Sequence, residues 1–160
     1  MTTSRLRALL GLPALGACEV GQAATPALPA EVATAAAPPT ARPEESRVWM
    51  TTGERRFAIT LADNAAARAF AVQLPLTLDM SELNGNEKHA DLTTALPANA
   101  SRPGTIRSGD LMLYGTNTVV VFYETFDSSY AYTRLGRVDD PADLPQVLGR
   151  RGARVVFSRD

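Results

Sequence analysis

The chain changes texture at Arg47, and that break limits what it can fold into. Between residues 18 and 46, nine of 29 residues are alanine and five are proline, with no aromatic side chain. Val20, Leu28 and Val32 are its aliphatic side chains larger than alanine. Such a stretch cannot bury enough surface to offset the entropy lost on ordering it. Proline favours extended backbone, and a flexible coil of this length spans roughly 30 Å, so the segment reads as a semi-stiff tether. Alanines at Val32–Ala37 favour a helix, but Pro38-Pro39 ends it. From Arg47 onward, short apolar runs alternate with turn residues. That part is one domain, large enough to build a core without disulfides or metals.

The turn and strand signals after Arg47 are frequent. Val48–Thr52 and Arg56–Leu61 flank Gly53-Glu54 and predict a β-hairpin with Phe57, Ile59 and Leu61 on one face. Asp63-Asn64 caps a helix through Leu74, with Ala67, Phe70, Ala71 and Leu74 sharing a face and Pro75 stopping it. Leu76, Leu78 and Met80 alternate with Thr77 and Asp79, giving a third strand. Asn84-Gly85-Asn86 is a turn, since both residue types accept positive φ. Pro97 and Pro103-Gly104 make Lys88–Arg107 read as irregular loop in which Leu92 and Leu96 pack. Leu111–Tyr114 and Thr118–Tyr123, joined at Gly115-Thr116-Asn117, carry the strongest strand signal, rich in β-branched and aromatic residues. Tyr132–Val138 is another strand, Ala142–Leu148 a short helix ended by Gly149, and Ala153–Phe157 a last strand. Many short strands with one or two small helices predict a mainly β fold, a closed or nearly closed barrel.

The first residues read differently. Arg5 and Arg7 precede an apolar run, Ala8–Leu15, and small residues lead to Cys18, the only cysteine. That is the layout of an export signal. Leu15-Gly16-Ala17-Cys18 also resembles a bacterial lipobox, in which the cysteine becomes the first mature residue and carries lipid. A lone cysteine cannot form an internal disulfide, and lipidation removes an unpaired thiol from an oxidising compartment. Two alternatives stay open: cleavage after Ala23, following Gly21-Gln22, or a mere apolar patch in a disordered tail. The expected organisation is a signal over residues 1–17, a tether over 18–46 and a barrel over 47–160. The expected location is the cell envelope, lipid-anchored at Cys18 with the domain facing the periplasm.

Charge excludes some partners. Losing residues 1–17 removes two arginines and no acids, so 16 basic residues become 14 against 17 acidic, and net charge moves from −1 to −3. That near-balance gives no basis for nucleic acid binding. Contact with membrane is expected through the anchor only.

Several pieces in order, Leu61–Phe70, Leu74–Leu78, Asn84–Lys88, Ser108–Leu111, Val121–Tyr123 and Arg134–Val138, resemble the bacterial cyclophilin-like domain family. The resemblance covers about residues 48–139 and implies a small eight-stranded barrel of cyclophilin type. It implies no activity. True cyclophilins carry an arginine after Phe-His, a Pro-Gly-Phe stretch and a Gln-Gly-Gly-Asp element. His89 is flanked by Lys88 and Ala90, and Ser108-Gly109-Asp110 replaces the last element, so no catalytic residue carries over.

One histidine and one cysteine cannot assemble the usual zinc ligand sets, and there is no nucleophile elbow, P-loop or dinucleotide fingerprint. Glu124, Asp127, Asp139 and Asp140 read as turn formers rather than calcium ligands, so no metal or cofactor is expected. Prolyl isomerisation needs an apolar pocket and a donor near the prolyl nitrogen. Tyr114, Phe122, Tyr123 and Tyr132 are candidates for the pocket, with Arg134 or Arg137 as donor. The plainer reading has Phe122 in the core and both arginines in ion pairs beside a bulge at Gly136. Asn84, Lys88, Tyr114, Tyr123 and Arg134 are the candidate polar-aromatic ligand cleft. The expected function is noncatalytic binding of a peptide or small molecule. A peptidyl-prolyl isomerase is the alternative, followed by a metal-free enzyme of another type.

Overall fold

A computed structural model of the protein describes residues 46–160. The expected signal, Cys18 and all of the tether but its last residue lie outside the described residues. Ten strands and two helices follow in chain order: β1 (Arg47–Thr52), β2 (Arg55–Leu61), α1 (Ala65–Val72), β3 (Leu76–Leu83), β4 (Glu87–Asp91), β5 (Gly104–Ile106), β6 (Asp110–Tyr114), β7 (Thr118–Phe122), β8 (Phe126–Ser128), β9 (Thr133–Val138), α2 (Leu144–Leu148) and β10 (Ala153–Ser158). Eight strands close into an antiparallel barrel in the order β1-β10-β3-β4-β7-β6-β9-β2, and β5 and β8 form a separate pair. The expected barrel is present. Among the described residues no helix is long and apolar enough to cross a membrane.

The elements follow from local chemistry. Gly53 turns the β1–β2 hairpin at φ 57°, a conformation open to glycine without strain. Asn64 caps α1, its side-chain oxygen accepting from the Ala67 amide at 2.8 Å. The helix ends at Val72 rather than Leu74, because a residue before proline is pushed out of the helical region and Pro75 acts on Leu74. Ala66, Ala67, Phe70 and Ala71 turn inward, and the Phe70 ring meets Phe157 edge-on at 5.5 Å.

Two strands are buried on both faces. Leu111 and Leu113 of β6 and Val119 and Val121 of β7 join the barrel core with Met50, Ile59, Leu135 and Val155. Side chains alternate across a strand. Met112, Val120 and Phe122 therefore face outward, where they build a second cluster with Ile106 and Tyr132, and Phe126 packs against it. The β5–β8 pair supplies Ile106 and Phe126. It is a flap over apolar surface that the barrel cannot bury inside.

The stretch expected to be irregular is only partly so. Glu87–Asp91 pairs with β3 on one side and β7 on the other, and Gly104–Ile106 pairs with Phe126–Ser128. Between them the chain is pinned without forming a ladder. Leu92 and Leu96 are buried as expected, and their amides bond the Asn117 and Thr116 carbonyls at 2.7 Å.

One charged group lies fully inside. Lys88 faces inward opposite Val121 and has no exposed surface. Its ammonium donates to Glu82 of β3 and, at 2.6 Å, to the Gly149 carbonyl after α2. The Tyr123 hydroxyl donates to both Glu82 oxygens at 2.8 Å, and the Gly85 amide donates to Oε1 at 2.7 Å. The Lys88 ammonium also sits 5.1 Å from the Tyr123 ring centre. Burial alone would raise Glu82, but bonds from Lys88 and Tyr123 outweigh it and hold its carboxyl below the usual range. Burial, then the bond to Glu82, pushes the Tyr123 phenol up, so it stays a donor.

The β2–β9 seam is tight. A Cβ on Gly136 would stand 2.6 Å from the Thr60 carbonyl oxygen and 3.1 Å from Leu61 Cα. Both neighbours are backbone and cannot rotate away.

Two outcomes follow from these contacts. Glu82→Ala strands a buried ammonium and should cost about 3–5 kcal/mol in urea unfolding, whereas Lys88→Met leaves a partly exposed carboxylate with two other donors and should cost less. Equal costs would show that the buried ammonium is not the sensitive partner. Gly136→Ala should cost about 1–3 kcal/mol by forcing β2 and β9 apart, read as faster exchange of amides along that seam. Unchanged exchange would contradict the close approach.

Candidate functional site

The outer face of the barrel carries two neighbouring clefts. The first lies over β4, β7 and the end of β6, with β8 and residues 129–132 as its far wall. The turn at Asn84-Gly85-Asn86, where Asn84 takes φ 56° and Gly85 φ 70°, forms one end. The space is about 560 Å³, within the range of small-ligand sites.

Strand alternation sets its chemistry. Lys88 and Ala90 turn inward, so Glu87, His89 and Asp91 turn outward into the cleft. Aromatic rings form the opposite wall. Tyr114, about half exposed, meets Tyr130 edge-on at 6.3 Å and Tyr132 at 5.7 Å. Tyr132 in turn stacks edge-on against Phe122 at 5.5 Å, which fixes the wall to the outer apolar cluster. Asp91 accepts from the Thr118 hydroxyl at 2.6 Å, and Asp127 from Thr105 at 2.9 Å.

Glu87, Asp91 and Asp127 line this space, and among the described residues no lysine or arginine does. Burial, then the charge of Glu82, pushes the Glu87 carboxyl above its ordinary value. Burial, then the charge of Glu87, pushes the Tyr132 phenol up, so that hydroxyl stays neutral. The side-chain oxygen of Asn86, also in the lining, is buried with no hydrogen-bond donor among the described residues. Among the described residues no three His, Cys, Asp or Glu side chains are gathered as a metal site would gather them.

The five residues expected to form one cleft separate. Asn84 and Tyr114 lie in the tyrosine cleft. Lys88 and Tyr123 do not reach it, because both are buried and committed to Glu82. Arg134 lines the second cleft, with Arg107, Asp110 and Arg137. There it donates to Asp110 at 3.2 Å, and Arg137 donates to the same oxygen at 2.9 Å. Of the rings considered for a proline pocket, Tyr114 and Tyr132 line the tyrosine cleft, and Phe122 is buried beneath it. Glu87, His89, Asp91, Phe126 and Tyr130 were not expected there. They sit on strands with no apolar alternation to reveal them, or in the loop between β8 and β9.

Comparison with known proteins fits this architecture. The profile of the cyclophilin-like family matches residues 50–158. The solution structure of a hypothetical protein, AF2241 from Archaeoglobus fulgidus, superposes with a TM-score of 0.51 at 18% identity, covering 75% of this chain and 98% of that one. At that identity the likeness concerns the fold alone. No curated protein matches. The barrel, its order of strands and the family match over most of the described residues lead to one statement: the chain belongs to the cyclophilin-like family.

Proposed function

We propose that the barrel is a noncatalytic binding module of the cell envelope, tethered by lipid at Cys18, which takes a peptide or small ligand in the tyrosine cleft. One observation carries the binding reading. Three tyrosines and three carboxylates converge on about 560 Å³, without a lysine or arginine from the described residues. Aromatic faces beside carboxylates suit a ligand bearing a cationic group, through cation–π and charge attraction together.

The isomerase reading is weaker on geometry. Arg134 and Arg137, the donors it called for, line the neighbouring cleft and are held by Asp110. The tyrosine cleft has rings for a proline but no guanidinium to set against the prolyl nitrogen. Support for the anchor is the order of basic start, apolar run and Leu15-Gly16-Ala17-Cys18.

The test for binding uses the full chain carrying Cys18→Ser and the tetrapeptides Ala-Ala-Pro-Lys and Ala-Ala-Pro-Glu. The lysine peptide should bind saturably and the glutamate peptide at least fivefold more weakly. Tyr114→Ala should weaken the first by roughly two- to fivefold, the loss of an exposed cation–π contact of about 0.5–1 kcal/mol. No binding of either peptide would refute the cation reading, and acceleration of proline isomerisation above background would replace binding with catalysis.

Acidity adds a signature. Glu87 is raised, so its charge appears at higher pH than that of an ordinary glutamate, and affinity for the lysine peptide should climb as that charge develops. Stability runs the other way. The folded state holds the Glu87 proton more tightly, so that contribution is full below the unfolded carboxylate value and is lost as pH rises through the folded one. Glu87→Gln should flatten both trends; unchanged pH profiles would show that Glu87 is not the titrating group.

For the anchor, cells fed labelled palmitate should label the wild-type chain and not Cys18→Ser. An unlabelled protein beginning at Ala24 would show plain signal cleavage instead.

A further inference from the structure

The second cleft lies on the outer face of β6 and β9, with Ser101, Pro103 and Thr105 along its edge, and encloses about 790 Å³. Its charged lining is Arg107, Arg134, Arg137 and Asp110. Three positive charges against one negative leave a formal +2. Sequence spacing alone would not bring these guanidiniums together. Residues 134 and 137 are three apart, and in a regular strand they point to opposite faces. The β6–β9 register shows how they come to share one. Asp110 pairs with Arg137 and Leu111 with Gly136, but Met112 pairs with Arg134, so Leu135 is an extra residue in β9. That bulge re-aims the strand and sets both arginines on the outer face.

Asp110 holds this arrangement. It is 1% exposed, and its Oδ1 accepts from Arg134 and Arg137 while Oδ2 accepts from the Arg107 amide at 2.9 Å. A second Arg137 nitrogen donates to the Ser108 carbonyl at 3.1 Å. Each guanidinium has five N–H donors. Arg134 uses one on protein and Arg137 two, and the exposed Arg107 guanidinium has no partner among the described residues. The fork geometry of arginine matches planar and tetrahedral oxyanions, and such pairs are the strong class of hydrogen bond.

The geometry points to an oxyanion site in this cleft, built for the dianion of a phosphate monoester. The charge decides between oxyanions. A carboxylate or a phosphodiester brings one negative charge and leaves the cleft half neutralised, whereas a monoester brings close to two. The volume leaves room for the organic part of the ester. Tyr132 lines both clefts and is the wall between them. The site nevertheless stands on its own residues and does not rest on what the tyrosine cleft binds.

The test is calorimetric titration of the full chain carrying Cys18→Ser, at pH 8 and fixed ionic strength, with inorganic phosphate, dimethyl phosphate and acetate in turn. Inorganic phosphate should bind saturably and at least tenfold tighter than either monoanion. Arg107→Gln, which removes no bond within the protein, and Arg134→Gln should each weaken it fivefold or more. Arg151→Gln, which removes an exposed charge outside the lining of this cleft, should leave phosphate affinity unchanged, and the titrations use no peptide, which separates failure here from failure of the peptide reading. Phosphate binding no tighter than acetate or dimethyl phosphate, or affinity indifferent to Arg107→Gln, would overturn the assignment.

Discussion

The wall made by β6 and β7 is apolar on both sides, and the rest of the molecule accommodates that fact. Leu111, Leu113, Val119 and Val121 fill the barrel, while Met112, Val120 and Phe122 leave a greasy patch outside. Exposed apolar area of that kind is normally covered or used. Here Ile106 and Phe126 of the short β5–β8 pair cover it together with Tyr132, leaving Met112, Val120 and Phe122 no more than 2% exposed. The clefts are what the flap leaves open on either side of Tyr132. Site and fold therefore have a common origin in one strand pair with too much hydrophobic surface for a single core.

The interior makes the opposite compromise. Lys88 occupies a position where a strand would ordinarily place an aliphatic side chain, and the protein meets the desolvation cost with a carboxylate, a carbonyl and an aromatic face. Such clusters add little net stability compared with a hydrophobic replacement, but they restrict which arrangements are tolerable. This one ties β3, β4, the residue after β7 and the end of α2 to one another. The same strand turns Glu87 outward, so a register set by the buried ammonium also decides which carboxylate faces the tyrosines.

Legibility in the sequence followed chemistry that is local. The β1–β2 hairpin, the Asn64 cap, the turn at Asn84 and the β6–β7 pair are written in adjacent residues, and all are present. Strand β4 was missed because Glu-Lys-His-Ala-Asp has neither β-branched residues nor an apolar period; its pairing comes from β3 and β7 on either side. Strands β5 and β8 are too short to carry a pattern. Of the candidate site, Asn84 was legible as a turn residue, and Tyr114 was named for a cleft that it lines. Lys88 and Tyr123 were misplaced, since nothing nearby in sequence reveals that Glu82 draws both inward. The ion-paired reading of Arg134 and Arg137 was sound, but their partner Asp110 lies more than twenty positions away and emerges only from the strand register.

The extra residue at Leu135 also has a bearing on how this chain can vary. A strand that pairs regularly on both edges can trade one residue for another with modest effect on its neighbours. Strand β9 instead carries one residue more than β6 sets against it. Removing the bulged residue would let β6 and β9 pair without a break, and Arg134 and Arg137, then two positions apart in a regular strand, would both keep the outer face. What the barrel would lose is the Leu135 side chain, which has no exposed surface and belongs to the core. The odd residue therefore lets two adjacent inward positions stand between the outward arginines: Leu135 fills the core, and Gly136 admits the close approach of β2.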